Sequence, residues 1–144
     1  MLDFNNELGA QARNRIDTEY VIWLTTTDSA GVPQPRPVWF IWDGEAFLVY
    51  SQPNTKKLKH VARNPTITLH FNGGPKGLDV QVFTCTAEIL TDPIPTDQLV
   101  AYQQKYGAEI QAMGASEADF AGAYSVGLRI KPWRLRGMVP PVTE

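Results

Sequence analysis

The sequence predicts a mainly β fold of the α+β class, a small antiparallel barrel of about six strands with helices at its periphery. Segments rich in β-branched and aromatic residues recur along the 144-residue chain, and such residues favour strands. Helical segments do not alternate regularly with these strands, as they would around a parallel sheet. The length suits one domain, so we interpret residues 1–144 as a single unit.

Local patterns place each element along the chain. The predicted strands are 20–27, 35–42, 45–51, 66–71, 78–90 and a last strand from residue 126. The predicted helices are 4–15, 54–63, 96–106 and 116–123, from apolar spacing and start signals. Asp43-Gly44 indicates a tight hairpin turn between the second and third strands. Pro132 is expected to interrupt or bend the last strand.

The short helix over 54–63 is the most informative segment, because its first turn is basic. Asn54 is a favourable N-cap, and Lys56 and Lys57 follow directly. A helix N-terminus already carries partial positive charge, so two lysines there are electrostatically unfavourable. An anion such as a cofactor or substrate phosphate would resolve the conflict. A solvated basic helix face is the alternative interpretation.

Four cationic or titratable side chains fall on one face of this helix, at i, i+3, i+4 and i+7: Lys56, Lys59, His60 and Arg63. Lysines of the first turn can bind one phosphate, whereas the others meet further negative charge or only water. A zinc site is not expected, since His60 and His70 are the two histidines of the chain.

Composition excludes several classes of partner and location. The formal charge is −2, with a pI near 5.7, which gives no global attraction to nucleic acid or to anionic membranes. The single cysteine, Cys85, excludes an internal disulfide and fits a reducing compartment. No apolar run approaches a membrane span, and the N-terminus resembles no secretory signal. We therefore expect a cytoplasmic protein that binds neither nucleic acid nor membranes.

The strand from Arg36 to Trp42 suggests a second part of the same site. Pro37 cannot donate to a strand ladder, which indicates an edge or an opening in the ladder. Free backbone groups at such an opening can bond a planar heterocycle, and Arg36 can point toward the anion at the lysines. The alternative is an ordinary edge strand whose tryptophans lie in the core or at a subunit contact.

Three elements in order carry a resemblance to a known family: Arg36-Pro37-Val38-Trp39-Phe40-Ile41, then Tyr50-Ser51, then Lys56-Lys57. They resemble the flavin-binding pattern of the pyridoxamine 5′-phosphate oxidase-like superfamily, over roughly residues 10–135. The resemblance implies a six-stranded antiparallel split β-barrel, the FMN-binding split barrel. It also implies an Arg-led strand along the flavin ring and a basic pair on the flavin phosphate.

Two departures separate the chain from the oxidase itself. Ile41 stands where the oxidase has a lysine for the substrate phosphate, and Arg134-Leu135-Arg136 is the nearest stretch to its Arg-x-His signature. The chain looks more like the actinobacterial branch that uses the deazaflavin coenzyme F420. This resemblance rests on the compact length, the strand Pro37-Val38-Trp39, the helix sequence Lys-Lys-Leu-Lys-His and the ending Ile130-Lys131-Pro132-Trp133-Arg134. The positive charge of Lys59, His60 and Arg63 would suit the anionic tail of that cofactor.

The resemblance implies a homodimeric oxidoreductase that transfers a hydride from reduced F420 to an electron-poor small organic substrate. The residues implied for cofactor binding are Arg36, Pro37, Val38, Trp39, Tyr50, Ser51, Lys56, Lys57, Lys59 and His60. Trp133 is implied as a wall of the substrate pocket, and no side chain stands out as an obligatory acid. The alternatives are an FMN-dependent oxidoreductase, or a non-catalytic cofactor- or haem-binding module with His60 or His70 as axial ligand.

Overall fold

A computed structural model describes residues 2–141, which form one seven-stranded, wholly antiparallel sheet with four helices. The strands are β1 (Ile22–Thr27), β2 (Pro33–Val38), β3 (Ile41–Trp42), β4 (Phe47–Ser51), β5 (Thr66–His70), β6 (Val80–Ile89) and β7 (Val126–Met138). The helices are α1 (Glu7–Thr18), α2 (Lys56–Arg63), α3 (Thr96–Ala112) and α4 (Glu117–Ala123).

The sheet curls back on itself as a split barrel, so the predicted fold class is confirmed. Its order is β2-β1-β5-β6-β7-β4-β3, and only Trp39 and Phe40 separate its two edge strands in the chain. The prediction of six strands counted 35–42 as one. Two strands form there because the chain pairs with β1 before Trp39 and with β4 after Phe40.

The last strand bends at the predicted place. The β6–β7 register shifts between Thr84 and Cys85, which pair with Arg134 and Pro132 and leave Trp133 without a partner on β6. Proline cannot complete a regular ladder, so the extra residue is accommodated as a bulge. Cys85 is fully buried beneath the shift, and burial raises the pKa of its thiol to about 12. A buried thiol with a raised pKa is a weak nucleophile.

The predicted start of α2 is wrong. The helix begins at Lys56 with Thr55 as N-cap, because Asn54 has a left-handed backbone with a φ of 64°. Asparagine tolerates that conformation better than most residues. The turn therefore uses Asn54 for its backbone freedom and not for its side-chain oxygen.

Two apolar clusters hold the elements together. The larger one fills the barrel and includes Ala12 and Ile16 of α1 and Leu58 and Val61 of α2. The smaller one joins α3 to the β3–β4 end of the sheet through buried side chains: Ile41, Leu48, Tyr50, Tyr102, Tyr106 and Ile110. The second cluster explains why α3 runs to Ala112 and not to residue 106, since Ile110 anchors its last turns.

Over the described residues, no helix combines the length and the apolar character that crossing a lipid bilayer requires.

Candidate cofactor site

A cavity of about 450 Å³ lies at the split of the barrel. This volume is in the range of pockets that hold small molecules. Strand β2 and the following Trp39 form one wall, β4 and α2 contribute one side chain each, and α3 and α4 cover it with their loop. Its lining consists of Val21, Arg36, Pro37, Val38, Trp39, Tyr50, Lys57, Tyr102, Met113, Phe120 and Tyr124.

Six of the ten residues that the sequence singled out for a cofactor line this cavity: Arg36, Pro37, Val38, Trp39, Tyr50 and Lys57. The other four are not among its lining. Lys56 and Lys59 are exposed on α2, and His60 bonds Thr26 Oγ1 through Nδ1 at 2.9 Å. Ser51 is fully buried, where its Oγ donates to Gln52 O at 2.7 Å.

Trp133 lies elsewhere. Its side chain is 52% exposed at the β7 bulge and is not among the cavity lining. Its role as a wall of the substrate pocket stays a prediction.

Arg36 and Lys57 place two positive charges on the cavity without a compensating carboxylate. Both are half-buried, and neither forms an ion pair within residues 2–141. Burial, and then the nearby Arg36 charge, lowers the pKa of Lys57. Arg36 Nε is buried with no hydrogen-bond partner in the described part of the chain. Buried donors are normally bonded, and an anion held between Arg36 and Lys57 would supply the acceptor for Arg36 Nε.

The N-terminus of α2 adds further unpaired donors at the same place. Thr55 makes no side-chain cap, and the first turn has no acidic residue. The Thr55 hydroxyl instead forms a hydrogen bond with Ser51 Oγ at 3.0 Å. The first N–H groups of a helix have no intrahelical acceptor, and together with the helix dipole they favour an anion. Lys57 belongs to this first turn and lines the cavity, so the positive end of the helix lies beside the cavity.

The outer edge of β2 presents hydrogen-bond acceptors and few donors. Pro33, Pro35 and Pro37 face Thr27, Thr25 and Trp23 of β1. Because proline has no N–H, these must be the non-hydrogen-bonded pairs of the antiparallel ladder. Their carbonyls therefore point away from β1, toward the free edge. Hydrogen-bonded and non-hydrogen-bonded pairs alternate along the ladder, so the backbone N–H and C=O of Val38 point toward β1. Val38 therefore lines the cavity with its side chain.

The break between β2 and β3 is stabilised by two side chains of α3. Tyr106, fully buried, accepts a hydrogen bond from Phe40 N at 2.9 Å, and its hydroxyl lies 2.6 Å from Tyr20 O. Lys105 Nζ donates to Phe40 O at 2.9 Å and lies 3.6 Å from the Phe40 ring centroid. These contacts replace the strand partner that Phe40 lacks. The Tyr106 ring stacks on Trp39 at 4.4 Å, which links the break to the cavity wall.

Lys105 makes the free energy of unfolding depend on pH in the alkaline range. Burial lowers its pKa to about 8, against opposing contributions from Asp17 and Glu19, whereas an unfolded lysine titrates near about 10.4. Between these values the unfolded chain binds more protons, so this group raises the free energy of unfolding as pH rises from 8 to about 10.4. We expect Lys105→Met to abolish that contribution in urea unfolding at stepped pH.

The difference between wild type and Lys105→Met isolates the lysine, since Cys85 and the tyrosines titrate in both proteins. A difference that stays constant between pH 7.5 and 10 would contradict the lowered pKa of Lys105.

An aromatic wall from α3 and α4 completes the cavity, and the sequence interpretation missed it. Phe120 stacks on Tyr124 at 4.4 Å and lies 5.8 Å from both Tyr102 and Trp39, measured between ring centroids. A signal was present, since 102/106 and 120/124 are aromatic pairs at i, i+4 spacing. That spacing predicts an aromatic helix face but not the surface it covers.

The histidines do not fit an axial haem ligand at this cavity. No histidine is among its described lining. His60 is held by Thr26, and His70 stacks on Trp23 while its Nδ1 contacts Phe71 O at 2.9 Å. Within residues 2–141, no three His, Cys, Asp or Glu side chains cluster in a way that could hold a metal ion.

Comparison with known proteins gives a family and several fold relatives. The family model described as pyridoxamine 5′-phosphate oxidase matches residues 8–137. A pyridoxine/pyridoxamine 5′-phosphate oxidase of Photorhabdus laumondii is 29% identical over 149 aligned positions. The alignment covers 95% of this chain but 64% of that relative, so the chain spans less than two thirds of the curated relative's length.

Two solved structures share the fold at low identity. An F420 reductase superposes with a TM-score of 0.65 at 18% identity, covering 86% of this chain and 94% of the other. HutZ, the haem storage protein from Vibrio cholerae, superposes with a TM-score of 0.68 at 13% identity, covering 92% and 95%. These likenesses establish the split-barrel fold, and the family match extends over most of the chain. The chain belongs to the pyridoxamine 5′-phosphate oxidase family.

Proposed function

We propose that the cavity at the split binds coenzyme F420, and that the protein is an oxidoreductase that transfers a hydride from reduced F420 to an electron-poor small organic substrate. The observation that carries the proposal is the pair of cavity cations, Arg36 and Lys57, with an orphaned buried donor beside an uncapped helix N-terminus. That donor set suits a phosphate, which deazaflavin and flavin cofactors both carry.

Each part of the site has a distinct task in this proposal. Arg36, Lys57 and the first turn of α2 bind the phosphate. The free carbonyl of Pro37 accepts a hydrogen bond from an N–H group of the ring, and the aromatic wall shields the ring from water. The cofactor, when bound, supplies the hydride, while the protein supplies binding, orientation and electrostatics. Ser51 supports the turn into α2 through its bond to Thr55.

The exposed basic face of α2 is the part that favours F420 over FMN. Lys56, Lys59 and Arg63 are exposed there, and His60 is fixed beside them by Thr26. These positions suit the anionic tail of F420, which FMN lacks. A deazaflavin tail would lie in solvent, so its contribution should be small and weakened by salt.

The cavity offers no separate anion site for a phosphorylated substrate. Arg36 and Lys57 are the two cations in its described lining, and the proposed cofactor phosphate uses both. Ile41 is buried in the α3 cluster, while Arg134 and Arg136 are exposed on β7. These placements support an uncharged substrate and argue against pyridoxamine phosphate oxidation.

Replacement of Lys57 by alanine tests the proposal. We expect F420 binding to weaken by about 1–3 kcal/mol, the scale of a charge-assisted contact. The measurement is a fluorescence titration with F420 and, separately, with FMN, which also carries a phosphate. Tight F420 binding with weak FMN binding supports the deazaflavin proposal, and the reverse result selects the FMN alternative.

Lys76→Ala is the matched control, since Lys76 is an exposed lysine in the loop between β5 and β6. It removes the same charge from the protein, so its titration should match wild type. Equal affinities for Lys57→Ala and Lys76→Ala would exclude Lys57 as a phosphate ligand. Lys59→Ala adds the tail test, with an expected loss for F420 at low salt and none for FMN.

We also propose that the protein is a homodimer, with the cavity completed by the second copy. Tyr20, Met113 and Trp133 are 52%, 60% and 52% exposed, and large apolar side chains at the surface favour association. Met113 lines the cavity itself. Sedimentation equilibrium tests the assembly, and a monomer at micromolar concentration would contradict it.

A further inference from the structure

A second cavity of about 270 Å³ lies between α3 and α4, beside the proposed cofactor cavity. The two cavities have four aromatic side chains in common: Tyr50, Tyr102, Phe120 and Tyr124. The remainder of the second lining comes from the two helices and is largely aliphatic. No sequence motif pointed to this cavity, and the two cations proposed for the cofactor phosphate do not line it.

The electrostatics of this second cavity are opposite to those of the first. No lysine, arginine or histidine is among its described lining, and Glu117 is its carboxylate. Burial raises the pKa of Tyr50 and of Tyr102 above the ordinary value, so both phenols stay neutral. A bound anion would have no counter-charge there to offset its desolvation, and the exposed carboxylate of Glu117 would repel it.

The shape and chemistry of the lining favour a flat ring. The Phe120 and Tyr124 rings stack on each other at 4.4 Å, with an interplanar angle of 17°, so a further aromatic ring can pack against an outer face or an edge of this pair. Gln103 and Glu117 are the non-aromatic polar side chains of the lining, and both can accept a hydrogen bond. The volume lies just below the usual range of about 300–1,000 Å³ for ligand pockets, which indicates a compact compound.

We propose that the α3–α4 cavity binds an uncharged aromatic compound of one or two rings that bears a hydrogen-bond donor. The site stands on its own lining and does not depend on which cofactor the first cavity takes. Because Tyr50, Tyr102, Phe120 and Tyr124 line both cavities, an occupant of the second is in contact with the walls of the first.

Titration calorimetry with 2-naphthol and 2-naphthoate tests the proposal on the whole protein without cofactor. The two probes share a ring system, but naphthoate is an anion at neutral pH. We expect 2-naphthol to bind and 2-naphthoate to bind at least ten times more weakly. Equal affinities, or no binding of 2-naphthol at millimolar concentration, would overturn the proposal.

Two variants locate the probe. Ala118 is exposed and lines this cavity but not the first, so Ala118→Trp should weaken 2-naphthol binding at least tenfold by filling the space. Glu117→Gln keeps the side-chain size and should reduce the discrimination against 2-naphthoate. Unchanged 2-naphthol affinity in Ala118→Trp, or unchanged discrimination in Glu117→Gln, counts against the site.

The outcome is independent of the F420 and FMN titrations. Failure of both cofactors to bind would overturn the proposed function but would leave the 2-naphthol result intact. Binding of a cofactor without binding of 2-naphthol would overturn only the second cavity as a site.

Discussion

Arg15→Ala is expected to lower the free energy of unfolding by about 3 kcal/mol, the lower end of the range for breaking a buried charge network. Arg15 is 6% exposed and lies in α1. Its guanidinium donates to Gln81 Oε1 at 2.9 Å, to Asp79 O at 3.0 Å and to Asn72 O at 2.6 Å. One side chain therefore connects α1 to the segment between β5 and β6 and to the start of β6.

The lower end of the range applies because the acidic partners of Arg15 are partly hydrated. The side chains of Glu19 and Asp79 are 39% and 23% exposed, so water can solvate both carboxylates when Arg15 is lost. Water cannot solvate the amide of Gln81 in the same way, since that residue is fully buried. A buried acceptor without its donor carries a desolvation penalty.

The measurement is urea unfolding, with Arg13→Ala as the matched control. Arg13 lies two residues earlier on the same helix and pairs with Asp17 at 3.3 Å, with both side chains about half exposed. Exposed pairs of this kind contribute at most about 1 kcal/mol. Comparable losses in the two variants would show that Arg15 does not clamp α1 to the sheet.

Tyr106→Phe is expected to cost about 2 kcal/mol, since it leaves the buried Phe40 N–H without an acceptor. The substitution removes only the hydroxyl, which lies 2.9 Å from Phe40 N and 2.6 Å from Tyr20 O. The ring remains, so its stacking on Trp39 at 4.4 Å is retained. The loss therefore reports on the break between β2 and β3 and not on aromatic packing.

Amide hydrogen exchange separates this local effect from general destabilisation. We expect the Phe40 amide to exchange at least ten times faster in Tyr106→Phe than in wild type. The exchange rates of β6 amides should change only as much as the global free energy of unfolding requires. Tyr124→Phe is the matched control, because Tyr124 is a half-buried tyrosine of the same aromatic wall without a role at the break. Unchanged protection of Phe40 would contradict the proposed role of the Tyr106 hydroxyl.

Many of the helices and strands could be predicted from the sequence, because their formation depends on residues close together in the chain. The alternating pattern of 66–71 predicted β5, and the structure places it at Thr66–His70. Ser116, the first residue of the predicted helix 116–123, caps α4 by accepting a hydrogen bond from Asp119 N at 3.1 Å through its side chain. Such signals act over three or four residues, so they depend little on the remainder of the chain.

The errors arose where a distant contact overrides the local preference. Asn54 has the side chain of an N-cap, but the turn that joins β4 to α2 requires a left-handed residue there. The segment 35–42 is uniformly extended, yet its pairing partner changes at Trp39 and Phe40. The strand division therefore depends on where β1 and β4 lie, which local propensity does not contain.

The sequence alone predicted the fold class and the family, and it named Arg36 and Lys57 among the ten residues expected at a cofactor. It did so because strand patterns, turn residues and a basic first helical turn are properties of short segments. The three-dimensional arrangement was needed to show that both cations line one cavity, that Ser51 forms hydrogen bonds within a turn, and that α3 and α4 cover the cavity. Those outcomes depend on how the sheet curls and which helix face meets it, and packing between segments distant in the chain decides both.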